Sequence, residues 1–152
     1  MSYPSADQIV AYLHAEVFPT LTGLPQYDDA GRVTNILDYE PGVVLTTPLL
    51  YTLFDRATRE TKGQITMLRI RLLHRIVFQW QDNEACEQEL RPFIHRVPAA
   101  IDLDPQLGGL ITQGLAKVDE IVSGFVVISN EKFRCLDFFL DAPTKAPYKS
   151  GI

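Results

Sequence analysis

Three histidines (His14, His74, His95) and two cysteines (Cys86, Cys135) are the side chains best suited to acid–base, nucleophilic or metal chemistry. Such groups act in constellations, with a second group within hydrogen-bonding or coordination reach. The sequence spacing offers none: no HxxxH or HExxH pattern occurs, and the two cysteines fit no metal spacing and read as reduced thiols. Cys86 and His95 fall on one predicted helix, but nine positions of helical rise put them about 14 Å apart, too far for a nucleophile and its base. His74 shares the parity of the apolar residues in its strand and reads as a core residue rather than a ligand. Asp102 and Asp104 could be imagined as an acid–base pair or metal ligands, yet aspartate is equally favoured at the turn where they lie. There is no GxSxG elbow and no phosphate-cradling GxxxxGK[ST] loop, and no lysine follows Gly108-Gly109. The expectation is no catalytic residue, no cofactor, no metal ligand and no enzymatic activity.

The arginines are patterned more tellingly. Residues 56–75 carry six basic side chains (Arg56, Arg59, Lys62, Arg69, Arg71, Arg75) against Glu60 alone, a net +5. Residues 1–55 sum to −6 and residues 76–152 to −4, so one basic segment lies between two acidic ones. Either these charges neutralise each other within one copy and keep a face solvated, or unlike patches meet between subunits and fix register and partner choice. Phosphate-backbone binding by Arg69, Arg71 and Arg75 is disfavoured by the acidic flanks and by the lack of an interleaved aromatic platform.

The whole chain has 152 residues, a net charge of −5 and a pI near 5.1. That balance argues against a dedicated nucleic-acid binder, and the 46% hydrophobic content against global disorder. No apolar run approaches the roughly 18 residues of a membrane helix, and the start Met1-Ser2-Tyr3-Pro4 lacks the basic and apolar regions of a signal peptide. The expectation is one soluble, intracellular domain spanning 1–152, with no internal repeat or linker.

The elements that must position these residues follow from periodicity. Ser5 and Gln8 form a capping-box signature, and Ile9, Leu13 and Val17 recur at helical spacing until Pro19, which predicts a helix over 5–18. Residues 20–42 read as a long loop with one short strand around Val33–Tyr39. Val43–Leu45 and Leu49–Phe54 read as strands opening a sheet over 43–80. Residues 65–80 give the clearest strand: Leu68, Ile70, Leu72, Ile76 and Phe78 share one parity, Arg69, Arg71 and Arg75 the other. Asp55–Gly63 between them holds no large apolar side chain and reads as a projecting hairpin loop. A second helix over 82–101, capped by Asp82 or Asn83, buries Ala85, Leu90, Phe93, Ile94 and Val97, with Pro92 able to kink or divide it. Pro105-Gln-Leu107-Gly108-Gly109 is a turn. Strands at 110–118, 122–128 and 132–141, with Asn130 in a tight turn, and an extended tail over 142–152 complete an α+β fold. Its mostly antiparallel sheet is covered on one face by two helices.

The order of these pieces resembles the tail terminator (tail completion) and neck proteins of long-tailed bacteriophages. The likeness rests on the Arg-rich strand Ile65–Val77, on Trp80-Gln-Asp-Asn-Glu84 leading into a helix, and on Val97-Pro-Ala-Ala-Ile101. It continues through the turn Asp104-Pro-Gln-Leu-Gly-Gly109, which in that family precedes a β-hairpin, to Phe133-Arg-Cys-Leu-Asp137. The helix running to Phe18-Pro19 fits the family's N-terminal helix; 20–42 and the residues after 142 have no counterpart.

The resemblance implies a virion protein of the tail or neck, assembled in the bacterial host cytoplasm. It would form a homo-oligomeric ring, commonly a hexamer, that caps the tail tube and joins it to the neck. Its partners would be itself, the tail tube protein and a neck or head-completion protein, with no membrane and no specific nucleic acid, the genome passing at most through the lumen. Arg69, Arg71, Arg75, Arg56, Arg59 and Lys62 become subunit or partner contacts, and Pro105, Leu107, Gly108 and Gly109 a structural turn. The alternatives are another neck or head-completion protein, a monomeric adaptor for one protein partner, or, least favoured, a small enzyme with a scattered site.

Overall fold

A computed structural model of the chain describes residues 4–24 and 35–146. Five strands form one mixed sheet in the order β1-β2-β3-β5-β4: β1 (Ile36–Leu37), β2 (Leu49–Lys62), β3 (Ile65–Gln79), β4 (Lys117–Ile128) and β5 (Glu131–Ala146). β1 runs parallel to β2, and every other pairing is antiparallel. Two helices, α1 (Ala6–Tyr12) and α2 (Asn83–Asp102), cover one face, so the architecture is α+β as the periodicity predicts. No helix among the described residues is long and apolar enough to cross a membrane.

β3 is the spine, paired along almost its full length with β2 on one side and β5 on the other. Its even positions carry the core: Ile70, Leu72, His74, Ile76 and Phe78 are buried, with Leu68 partly so. They pack against Ile9, Leu13, Val17 and Phe18 of the N-terminal helical segment and Leu90, Phe93, Val97 and Ile101 of α2. A smaller apolar cluster, Leu49, Tyr51, Val77, Ile128, Phe133 and Cys135, fills part of the opposite face beneath Val44 and Leu37.

The capping box at Ser5 forms, the Ser5 hydroxyl accepting from Gln8 N–H while Gln8 accepts from Ser5 N–H. Past Tyr12 the helix widens into a π turn over Leu13–Val17 and closes as a 3₁₀ turn over Phe18–Thr20. Pro19 therefore ends the segment from inside its last turn. α2 is capped by Asp82, whose carboxylate accepts from Ala85 N–H at 2.8 Å. It runs unbroken through Pro92 and Pro98, because apolar anchors on both sides of each proline are held in one core. Its buried stripe is Cys86, Leu90, Phe93, Val97 and Ile101; Ala85 and Ile94, expected inside, are half-buried.

Several expected elements differ. Val43–Leu45 is not a strand; Val43 and Leu45 are exposed in an irregular segment pinned by Asn35, which donates to Thr46 O and Pro48 O and accepts from the Thr46 hydroxyl. Asp55–Gly63 is not a loop. Residues 55–62 continue β2, paired to β3 as far as Lys62 opposite Ile65, and only the turn at Gly63–Gln64 is free. The strands expected at 110–118 and 122–128 are one strand, β4, starting at Lys117 and bulged between Val118 and Glu120. The expected tail from 142 begins no earlier than 147, since β5 pairs with β3 through Ala146. Part of the 20–42 loop (25–34) and the last tail residues (147–152) lie outside the described residues.

Candidate interaction surface

The odd positions of β3 put Arg69, Arg71 and Arg75 on the face away from the helices, and β5 and β4 bring carboxylates to each. Arg75 is gripped by Asp137: Nε donates to Oδ1 at 2.7 Å and Nη2 to Oδ2 at 2.9 Å, a bidentate pair directly across the β3–β5 ladder. Both side chains are mostly buried, and the Asp137 hydrogen bonds raise the guanidinium's pKa still further. Tyr51 also accepts from Arg75 at 3.4 Å, while burial pushes the Tyr51 phenol up. Arg69 donates to Asp141 at 2.8 Å and lies 3.7 Å from Glu60. Arg71 reaches three carboxylates, donating to Glu120 at 2.6 Å and Asp119 at 3.2 Å. Its Nε lies 3.2 Å from Asp55 without hydrogen-bond alignment, and the guanidinium stacks 4.5 Å from the Phe139 ring centroid.

All three arginines thus point outward as their parity predicts, and each is neutralised within its own copy. Asp137 and Asp141 on β5 are two of the partners; no ion pair joins Glu131, at the start of the same strand, to these arginines among the described residues. Arg56 and Arg59 stand apart, exposed on the outer half of β2, with Asp55 3.5 Å from Arg56. Lys62 closes the same strand before the turn. That outer half of β2, with β3 and the end of β5, forms a three-stranded arm in which β2 residues 55–61 are exposed and Thr66, Ile70, Ala142 and Thr144 are buried.

The turn after α2 is a joint between layers. Leu107 is fully buried, and Gly108 and Gly109 have φ of 66° and 95°. A Cβ on Gly108 would come within 2.6–2.8 Å of the Tyr12 ring, so only glycine fits there. The Tyr12 hydroxyl donates to Asp104, which also accepts from Gly108 N–H at 3.0 Å. These bonds push the Tyr12 phenol up to about 12 and the Asp104 carboxyl down. Pro105 accepts from Ala116 N–H at 2.8 Å, closing the excursion that leads into β4.

One cluster escaped the sequence reading. His14, on the π turn, lies 2.7 Å from the Thr52 hydroxyl, which lies 2.8 Å from Nδ1 of buried His74. The Phe18 ring packs against both imidazoles. Burial holds His14 down to about 4, against a small opposing pull from Asp38, and holds His74 down to about 3, with the His14 charge adding to it. The pair is therefore neutral at pH 7 and bonded through one hydroxyl, which donates to one ring and accepts from the other. The chain ties the N-terminal segment to the sheet. His14 and Thr52 also line a cleft of about 380 Å³ beside Asp7, Asp38 and Phe54. Positions 14, 52 and 74 have no sequence spacing in common; only the parity of His74 hinted at burial.

The second edge of the sheet is apolar and open. Among the described residues β4 pairs with β5 alone, and Ile121, Val122, Phe125 and Val127 are exposed along it. Trp80 meets Phe125 edge to face at 5.4 Å, and the Lys132 ammonium lies 4.4 Å from both ring centroids. Among the described residues no group of three His, Cys, Asp or Glu side chains is placed to hold a metal ion.

Compared with known protein families and with curated proteins, the chain matches none.

Proposed function

We propose that this chain is a structural virion subunit of the tail-terminator kind, which assembles into a ring that caps the tail tube and joins it to the neck. The observation that carries this reading is the joint at Asp104–Gly109. The short motif behind the family resemblance is a folded device here, with Leu107 in the core and Gly108 against Tyr12, and it leads from the second helix into a β-hairpin. The order of helix, hairpin, helix, turn and hairpin supports the same reading. A ring built by a heterologous contact needs two unlike surfaces on each subunit. The arm, with exposed Arg56 and Arg59, and the apolar edge around Phe125 are two such surfaces. The role is assembly, with no catalytic residue and no cofactor; the partners are further copies, a tail tube protein and a neck or head-completion protein.

Light scattering behind size exclusion, with electron microscopy of the same fractions, tests the proposal. A closed ring of several copies is expected. A single-chain mass at every concentration would remove the ring and favour a monomeric adaptor, for which the exposed Trp80–Phe125 patch would be the docking surface.

A further inference from the structure

Inner strands of this sheet satisfy their backbone on two sides, whereas two long stretches do not. β4 has β5 on one side and, among the described residues, no strand on the other over its 12 residues. β2 has β1 beside only Leu50 and Tyr51, so from Thr52 to Lys62 its outer side has no strand partner among the described residues. At about 3.4 Å per residue these open edges are both close to 40 Å long, β2 being bulged between Phe54 and Arg56 and β4 between Val118 and Glu120. Monomeric proteins blunt such edges with prolines, lysines and bulges, because a row of unpaired N–H and C=O groups is a template for another strand. β4 has its bulge and its charges only at the start; Ile121–Ile128 contains no charged residue and no proline, and Ile121, Val122, Phe125 and Val127 are exposed.

We infer that copies of this chain join head to tail by β-strand addition, the open edge of β4 in one copy pairing with the outer half of β2 in the next. Three features commit the surface to a second copy. The first is direction: three antiparallel steps separate β2 from β4, so the two run oppositely. A copy rotated about an axis along the strands therefore presents β2 to β4 antiparallel, the pattern β2 through β4 already follow. The second is length, since the two edges match. The third is charge. Residues 55–62 carry three basic and two acidic side chains, whereas β4 carries Lys117 against Asp119 and Glu120, so the edges sum to +1 and −1, a small difference of sign since Arg71 of the same copy already holds Asp119 and Glu120. Closure into a ring rests on the function proposed above; the edge pairing stands apart from it, because a head-to-tail contact that does not close gives filaments by the same junction.

Proline at one residue of each edge tests the junction in the full chain. On β2 the choice is Thr58→Pro or Arg59→Pro and on β4 Val122→Pro or Ser123→Pro, taking from each pair the residue whose N–H faces the open side. Sedimentation should show a multi-subunit wild type and complete loss of species above one chain for either variant alone. An equimolar mixture of the two should recover a species of two chains and no larger, because one intact β2 edge and one intact β4 edge remain. A β2 variant that still dimerises alone would replace this junction with a two-fold β4–β4 contact. A monomeric wild type, or variants that assemble like wild type, would overturn the inference. Should a proline variant unfold by circular dichroism, Ala57→Glu with Thr58→Glu on β2, or Val122→Lys with Val127→Lys on β4, changes exposed side chains only and keeps the backbone donors. Microscopy separates the two claims. Closed rings that survive both edge changes sink the edge pairing alone, and edge-dependent open filaments sink the ring alone.

Discussion

Arg75 and Asp137 illustrate how far a single register decides a residue's role. Arginine on the polar parity of a strand is worth little when its partner is solvated, about 0–1 kcal/mol. Here the pair is bidentate and mostly buried, so removing the carboxylate leaves a cation with no equal partner. Asp137→Ala is expected to lower stability by about 3 kcal/mol, whereas Arg56→Gln, in solvent, should stay within about 0.5 kcal/mol. Equal urea midpoints for the two would contradict the burial argument. This moves part of the expected effect of the β3 arginines from assembly into folding. Gly108 makes a second residue-scale case. Gly108→Ala meets both a left-handed backbone and the Tyr12 ring, while Gly109→Ala meets only the backbone cost. The first should destabilise by about 2–4 kcal/mol and the second by about 1 kcal/mol. Reversal of that order in denaturant unfolding would mean the joint is not held by Tyr12.

β3 owes its place to alternation, and a charge on its inner face tests that directly. Ile70→Asp buries a carboxylate among the apolar side chains of the core and should cost several kcal/mol; a variant as stable as wild type would reverse the face assignment. The arm makes a subtler case. Its β2 half looks like loop because both faces are solvated, so no apolar alternation marks it, while its backbone pairs with β3 residue by residue. β3 has partners on both sides there and β2 on one. Amides of Thr66–Arg71 should therefore exchange with solvent more slowly, as a set, than those of Arg56–Lys62 in the dissociated chain. Equal rates would mean that the arm frays as a loop.

Across the whole molecule, the two buried imidazoles set a pH dependence. Both are held well below the ordinary histidine value near 6.5, His14 at about 4 and His74 at about 3. Between pH 6.5 and about 4 the unfolded chain binds protons that the native chain refuses. Stability is then complete above about pH 6.5 and falls as pH drops, by at most about 1.4 kcal/mol per pH unit for each histidine. Asp38 faces His14 and softens its share; Asp104, its carboxyl held low, adds a loss only at still lower pH. Urea unfolding at pH 7 and pH 5 should show the fall, and a flat profile would mean the imidazoles are not buried neutral. Since the π turn after α1 and the sheet meet at these residues, acid should loosen the N-terminal segment first.

Much was legible in the residues alone where the physics is local. Ser5 with Gln8, Asp82 ahead of Ala85, the glycines at 108 and 109 and Asn130 in its turn act within a few positions, and period-2 alternation in β3 needs only the strand itself. These fixed the α+β class and the outward face of Arg69, Arg71 and Arg75. Which carboxylate each arginine meets, whether 55–62 is strand or loop, and that Thr52 bridges His14 to His74 were decided by tertiary structure. The same holds for the two edges left open. Backbone pairing is blind to side-chain type and joins positions tens of residues apart, so a polar strand solvated on both faces and a hydrogen bond between distant elements leave no period to read.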